Sequence, residues 1–379
     1  LVIKYLSFSF IISSVSIVPG TLLQKEMRYD LINKIDVFVV LLSGILSVYL
    51  ALIGWGVMSL VFQSLFSQVV KVPLLYAASK WQPKFIFSKN SIKELFSYSA
   101  YLTGFSIINY GARRSDDLLI GKFMGAESLG IYSRAYSLML MPITQVISLV
   151  SNVMFPALSS IQNDKERVKR VIINVIQMLA FITFPMMIGL IAVADNFIHG
   201  IFGSKWAEVI PIIRILAFVG VLQTIANPAG WIYTSQGKTD WMFWWGVFGA
   251  GSVVIAIVIG VVIGSIYSVA IAYLLINIIL AYPVIAIPGK LINMIFSEVY
   301  GSVLSILIIS IIMATLVYFV GLALLNGLPA SVKLIIQVLL GAIIYLGIIW
   351  YFKIEAFNNI KELTTEQFNF YKDKFARNK

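Results

Sequence analysis

The sequence predicts an all-α polytopic membrane protein of about eleven transmembrane helices, and three observations carry that reading. Hydrophobic residues fill 60% of the 379 positions and charged residues only 12%, against about 25% charged in a soluble domain. Mean hydropathy is +0.93. The apolar runs are long and unbroken rather than alternating at period two, so helices are expected in the bilayer and not a β-barrel.

A crossing needs about 20 apolar residues to span about 30 Å of hydrocarbon. The first run is Lys4 to Leu23 and ends near Pro19-Gly20. No Asp, Glu, Lys or Arg falls between Asp36 and Lys71, a stretch too long for one crossing at about 1.5 Å per residue. Gly54-Trp55-Gly56 is the expected break, giving a hairpin. The fourth helix runs from about Leu95 into the charged stretch Arg113–Asp117. The fifth spans about Ala135–Leu158, the sixth Val171–Ala194 and the seventh Val209–Tyr233. Asp240 to Lys290 is again free of charge between its ends, and Gly264-Ser265 divides it into two helices. The last two are Val299–Leu325 and Val332–Tyr351, separated by Asn326-Gly327-Leu328-Pro329.

Lys and Arg concentrate in alternate loops: Lys25, Arg28 and Lys34; Lys71 to Lys93; Lys165 to Arg170; Lys238; Lys290. The tail after Lys353 adds more. Positive loops face the cytoplasm, so the C-terminus is expected inside. This placement also accounts for the net charge of +11 without nucleic acid as a partner. Asn163 stands three residues before Glu166, a helix-start signal that suggests a short interfacial helix. In the tail, Ile354, Phe357, Ile360, Phe368 and Phe375 recur at helical spacing among charges, as in a helix lying on the membrane surface, with a frayed, solvated tail as the equal alternative.

The chain has no cysteine and one histidine, His199. No thiolate or histidine cluster can hold a metal, no catalytic constellation stands out, and neither metal nor cofactor is expected. His199, Asp195 and Glu208 read as solvated outer-loop residues. Ionisable residues at membrane depth mark function by default. The dense group is Arg113, Arg114, Asp116 and Asp117, with Lys122 and Arg134 following and only Glu127 between those two. Arg113 lies three and four residues before the aspartates, so a pair on one helix face is expected. Ser97, Ser99, Thr103, Gly104, Ser106, Asn109 and Gly111 precede it, as in a helix that packs closely or faces water. The group either presents arginines to an anionic ligand, which a guanidinium grips with two prongs, or is a self-neutralised packing cluster. Arg214 is a further binding candidate whose alternative is snorkelling to the outer interface. Gly121, Gly125 and Gly130 read as turns; no phosphate-binding glycine loop is present.

The stretch Asn109–Arg170 resembles the polysaccharide and lipopolysaccharide exporters, lipid-linked oligosaccharide flippases of the multidrug/oligosaccharidyl-lipid/polysaccharide superfamily. Asp116–Tyr136 carries the closest likeness; Ile201–Gln223 and Ser9–Asp30 add to it. The colanic- and teichuronic-acid exporter branch is the most similar. The resemblance implies about fourteen helices in two bundles related as parallel repeats, plus extra C-terminal helices. Residues 1–94 would then be a remnant of the first bundle, 95–289 the second bundle, 290–352 two additional helices and 353–379 a cytoplasmic tail, with an N-terminal part missing. The implied cargo is an undecaprenyl-diphosphate-linked oligosaccharide in the bacterial cytoplasmic membrane, with membrane lipids as the other partner. The implied protein is a transporter and no enzyme. A drug/cation antiporter using Asp116 or Asp117, and a membrane polysaccharide polymerase, are the competing readings.

Overall fold

The computed structural model describes residues 2–83, 87–323 and 327–352. The tail expected to form a surface helix, and Asn326, lie outside them. Among the described residues the chain has no strand. It forms α1 (Val2–Lys25), α2 (Tyr29–Leu52), α3 (Met58–Ser79), α4 (Lys89–Phe123), α5 (Gly125–Ser160), α6 (Lys165–Phe197), α7 (Val209–Ala226), α8 (Ala229–Ser235), α9 (Thr239–Ile263), α10 (Ile266–Leu280), α11 (Pro283–Gly289), α12 (Phe296–Ala323) and α13 (Ala330–Phe352). α7 with α8, and α10 with α11, each make one span, so helical rods stand at all eleven expected places.

Nine of these spans are long and apolar enough to cross a membrane, and α5 joins them as a bent pair, Gly125–Ser148 with Val153–Ser160. The protein is a multi-pass membrane protein. α4 is the expected span that is not apolar enough to cross a membrane on its own, because its serines, asparagine and charges dilute its apolar residues. A helix this polar needs protein or water beside it.

The breaks follow local chemistry. Gly54 and Gly56 take φ of 91° and 51°, a left-handed backbone that side chains resist, and they turn α2 into α3. Below that turn, Asp36 and Lys71 close the charge-free hairpin with a 2.5 Å ion pair. Gly264 ends α9 at φ 88°, and the Ser265 side chain caps α10 by accepting the Tyr267 N–H at 3.2 Å.

Three expectations need correction. The interfacial helix near residue 163 is the first turns of α6, and its cap is Asp164, which accepts the Arg167 N–H at 3.0 Å. Gly121 and Gly130 lie inside helices, and of the three glycines only Gly125 (φ 89°) makes a turn. The charged stretch Arg113–Asp117 is interior to α4, which runs two further turns to Phe123.

The chain divides into two compact units: Leu1–Ser91 with Asn152–Pro156, and Ile92–Ser151 with Ala157–Lys379. In the first, α3 packs on both α1 and α2, and the Tyr76 hydroxyl donates to the Val15 carbonyl at 3.3 Å. In the second, α6 and α7 are the most buried spans and anchor a core that includes Ile143, Ile176, Phe184, Ile213 and Leu216. α12 and α13 are fastened to α6 by polar ties. Gln177 donates to the Ser302 carbonyl at 3.2 Å, Asn196 to Gln337 at 2.7 Å and Tyr345 to the Phe181 carbonyl at 2.7 Å. In an apolar solvent such bonds compete with no water.

Candidate functional site

Inside the second unit α4, α5 and α7 to α11 enclose a cavity of about 320 Å³. Two reciprocal notches build its α4–α9 wall. Phe243 of α9 fits against Gly104, where a Cβ would lie 2.7 Å from the Phe243 ring, and Phe105 of α4 fits still more tightly against Gly246. Each helix therefore inserts a ring where the other has no side chain. One end of the wall is pinned by the Tyr98 hydroxyl, which donates to the Thr234 carbonyl at 3.3 Å, and by Thr239, which donates to the Tyr98 carbonyl at 3.2 Å.

Of the seven residues singled out from sequence, the structure brings Arg113 and Asp116 to this cavity. They are one turn apart on α4. Arg113 is exposed, and among the described residues no carboxylate lies within 4 Å of it. Asp116 is 5% exposed, and its Oδ1 accepts the Asp117 N–H at 2.9 Å. No lysine or arginine pairs with Asp116 among the described residues.

The other five stand elsewhere. Arg114 donates to Asp117 Oδ2 at 3.2 Å, and the Ser133 hydroxyl of α5 donates to Asp117 Oδ1 at 2.7 Å. The expected pair between Arg113 and an aspartate is thus replaced by Arg114–Asp117. Both spacings are open to a helix, and Ser133 favours the face that Asp117 shares with Arg114. Lys122 lies 5.3 Å from the centre of the Phe123 ring. Arg134 is held between Phe202 at 5.8 Å and Trp206 at 5.2 Å, a cation–π contact with both rings. Arg214 pairs with Asp195 and donates to the Ile191 carbonyl at 3.3 Å, so neither Arg214 nor Asp195 is simply solvated. His199 Nδ1 lies 2.8 Å from the Asp195 carbonyl oxygen.

Neutral residues complete the cavity, and of these sequence reasoning named only Asn109, as part of the polar face of the fourth helix. Asn109, Tyr136, Gln223, Asn227, Tyr233, Tyr273 and Asn277 line it together with Phe105 and Trp245. Gln223 Nε2 donates to the Tyr273 hydroxyl at 3.0 Å, and Asn227 and Asn277 each donate to a carbonyl one turn back at 2.7 Å. No charge flags these residues. The only sequence signal is their spacing: Gln223 and Asn227 are four apart on one face, as are Tyr273 and Asn277. Among the described residues no group of His, Cys, Asp and Glu could hold a metal ion.

Residues 1–211 match the family described as polysaccharide biosynthesis protein. Teichuronic acid biosynthesis protein TuaB of Bacillus subtilis (strain 168) is 32% identical over 249 residues, 64% of this chain and 51% of that protein. Succinoglycan biosynthesis transport protein ExoT of Rhizobium meliloti (strain 1021) is 30% identical over 236 residues, 62% of this chain and 48% of its own length. The chain spans about half the length of these curated relatives. Among solved structures, the lipid II flippase MurJ in an inward closed conformation superposes with a TM-score of 0.53 at 19% identity, over 89% of this chain and 72% of that one. That likeness is one of fold.

Proposed function

The chain belongs to the polysaccharide biosynthesis protein family, and on that premise we propose that it moves a lipid-linked oligosaccharide across the cytoplasmic membrane for cell-surface polysaccharide biosynthesis. The cargo is an undecaprenyl-diphosphate-linked repeat unit carried from the inner to the outer leaflet. The protein acts as a transporter and catalyses no covalent step. Its Lys- and Arg-rich loops and its C-terminus face the cytoplasm.

One observation carries the reading. Arg113 lines the cavity, is exposed, and has no carboxylate partner among the described residues, while Arg114, Arg134 and Arg214 are each engaged by neighbouring side chains. A diphosphate cannot enter hydrocarbon with its charge bare. A guanidinium replaces part of its hydration with two parallel hydrogen bonds, and the polyprenyl tail remains in the bilayer. The polar α4 forms the path's wall, since a helix of that composition does not face lipid on every side.

Deletion of the intact gene, followed by analysis of membrane lipids, tests the reading. Lipid-linked repeat units should build up on the cytoplasmic face. A second reading, a drug/cation antiporter, draws on buried Asp116 without a described cation partner. It predicts normal lipid intermediates and altered drug or ion sensitivity instead. A reporter active only outside the cytoplasm, fused after Lys379, should stay silent; activity there contradicts the proposed orientation.

A further inference from the structure

The connection between α6 and α7 carries a cluster of cations and aromatic rings that stands apart from the cavity: none of Arg134, Phe202, Lys205 and Trp206 lines it. α6 runs into a single wide turn, Ile198–Phe202, closed by Gly203, whose N–H donates to the Ile198 carbonyl five residues back at 3.0 Å. Such π turns are rare and concentrate at functional sites. Gly203 takes φ of 85° and hands the chain to a tight turn, Ser204–Trp206. Phe202 and Trp206 therefore straddle Gly203, and both reach Arg134 of α5. The π turn also has a firm backing. A Cβ on Gly200 would lie 2.9 Å from the Ser331 backbone nitrogen of α13, so two backbones meet there with no side chain between them.

The charge of this cluster is not cancelled. Lys205 Nζ lies 6.0 Å from the centre of the Trp206 ring and the Arg134 guanidinium carbon 5.2 Å from it, so one indole holds two cations. Both side chains are exposed, and among the described residues no carboxylate lies within 4 Å of either, Glu208 two residues beyond Trp206 included. An aromatic ring attracts a cation without neutralising it, and two like charges beside one ring repel. Arg214 differs, since Asp195 balances it. Lys205 also stands against the charge pattern of the chain. Lysines and arginines crowd the opposite loops, and residues 198–208 hold no other.

An anion relieves this arrangement, and the surroundings select its kind. Ile201 is 58% exposed beside Phe202, so the cations open onto an apolar surface. Free phosphate has no use for that surface and meets both cations in the open, where water and salt screen them. A phospholipid brings its own anchor. Its acyl chains stay in the bilayer, and its phosphate lies at headgroup level, where Trp and snorkelling cations gather. The guanidinium offers that phosphate two parallel hydrogen bonds, and the ammonium adds a point charge.

We infer that Arg134, Lys205 and Trp206 form a site for the phosphate of an anionic phospholipid in the outer leaflet. The site is separate from the path proposed for the cargo and takes a lipid that is not transported. Its leaflet rests on the orientation proposed above; its chemistry does not. Once bound, the lipid braces α5 against the connection between α6 and α7.

The chain has no cysteine, so Ser204→Cys carries a single small fluorophore beside the cluster. In nanodiscs, brominated phosphatidylglycerol should quench it about threefold more than brominated phosphatidylcholine at equal mole fraction. Unbrominated phosphatidylglycerol should relieve the quenching, and inorganic phosphate should not. Combining Arg134→Gln with Lys205→Gln should make the two lipids equal, while Arg214→Ala should leave the preference intact. Lys205→Gln alone changes one exposed side chain and should weaken the preference, which keeps the test open if the double variant does not fold. Melting of the unsubstituted chain in the same discs gives a second readout: phosphatidylglycerol should raise the midpoint above that in phosphatidylcholine, and the double variant should lose the gain. Equal quenching by the two lipids before any change at Arg134 or Lys205 overturns the site. A preference that survives both glutamines overturns it too, since the basic loops at the other end would then be its source. Relief by inorganic phosphate reassigns the cluster to a free anion and overturns the lipid. Activity of the reporter fused after Lys379 moves the site to the inner leaflet and overturns the leaflet alone.

Discussion

Arg113 and Arg114 are adjacent in sequence and have opposite fates. One faces the cavity with no carboxylate within 4 Å of it among the described residues; the other is tied to Asp117, which Ser133 of the next helix also holds. About 100° of helix rotation separates them. The same split divides the aspartates: Asp116 turns into the cavity and Asp117 into the α4–α5 contact. The charge cluster is therefore two devices on one helix, a structural pair on one face and an open cation and carboxylate on the other.

Substitutions can break or sharpen this contrast. The largest stability effect is expected from Gly246→Leu, which drives a side chain into the place of Phe105 and separates α9 from α4. Overpacking costs about 1–3 kcal/mol, so the melting midpoint should fall clearly and both faces of α4 should fail together. An unchanged midpoint would show that the wall is not built by these notches. Next comes Asp117→Ala, which deprives Arg114 and Ser133 of their shared acceptor. It should lower stability by about 1 kcal/mol while export is largely kept. Asp116→Asn should show the reverse pattern, with stability held and export reduced, measured in the same strains.

Arg134→Leu removes a cation from two aromatic faces and should cost about 0.5–2 kcal/mol by thermal unfolding. Arg134→Lys should recover part of that. Arg214→Ala is expected to be the mildest, below about 1 kcal/mol, because both members of its pair with Asp195 are more than a third exposed. A fall as large as that of Gly246→Leu would mean that the Arg214 pair is more shielded than its exposure implies.

Apart from the polar α4, the helical places were legible because hydrophobic run length is a direct reading of bilayer thickness. Breaks at Gly54, Gly56 and Gly264 were legible because positive φ demands glycine there. The same rule misled at Gly121 and Gly130, since a glycine inside a helix looks no different from one at a turn. The start of α6 was expected at Val171, with a separate interfacial helix capped by Asn163 before it; the two are one helix capped by Asp164, since Asn163 and Asp164 both suit a cap and only the backbone decides between them. Ion pairing within α4 was open between two spacings, and the deciding Ser133 is sixteen residues away. Asp195 and Arg214 are further apart still, on separate helices. The cavity's tyrosines and amides carried the least signal. Neutral polar residues are common in polar helices, and only packing reveals which of them converge.

The central claim, that Arg113 serves a ligand and Arg114 the fold, is tested most directly by measuring cytoplasmic-face lipid-linked intermediates in cells carrying Arg113→Ala or Arg114→Ala at matched membrane levels. The account predicts build-up and a loss of export of about tenfold or more for Arg113→Ala, partly relieved by Arg113→Lys, whose ammonium lacks the two-pronged grip. Arg114→Ala should melt earlier yet export at near-normal rate per molecule. Normal export by Arg113→Ala, or equal loss in the two variants, would contradict the account.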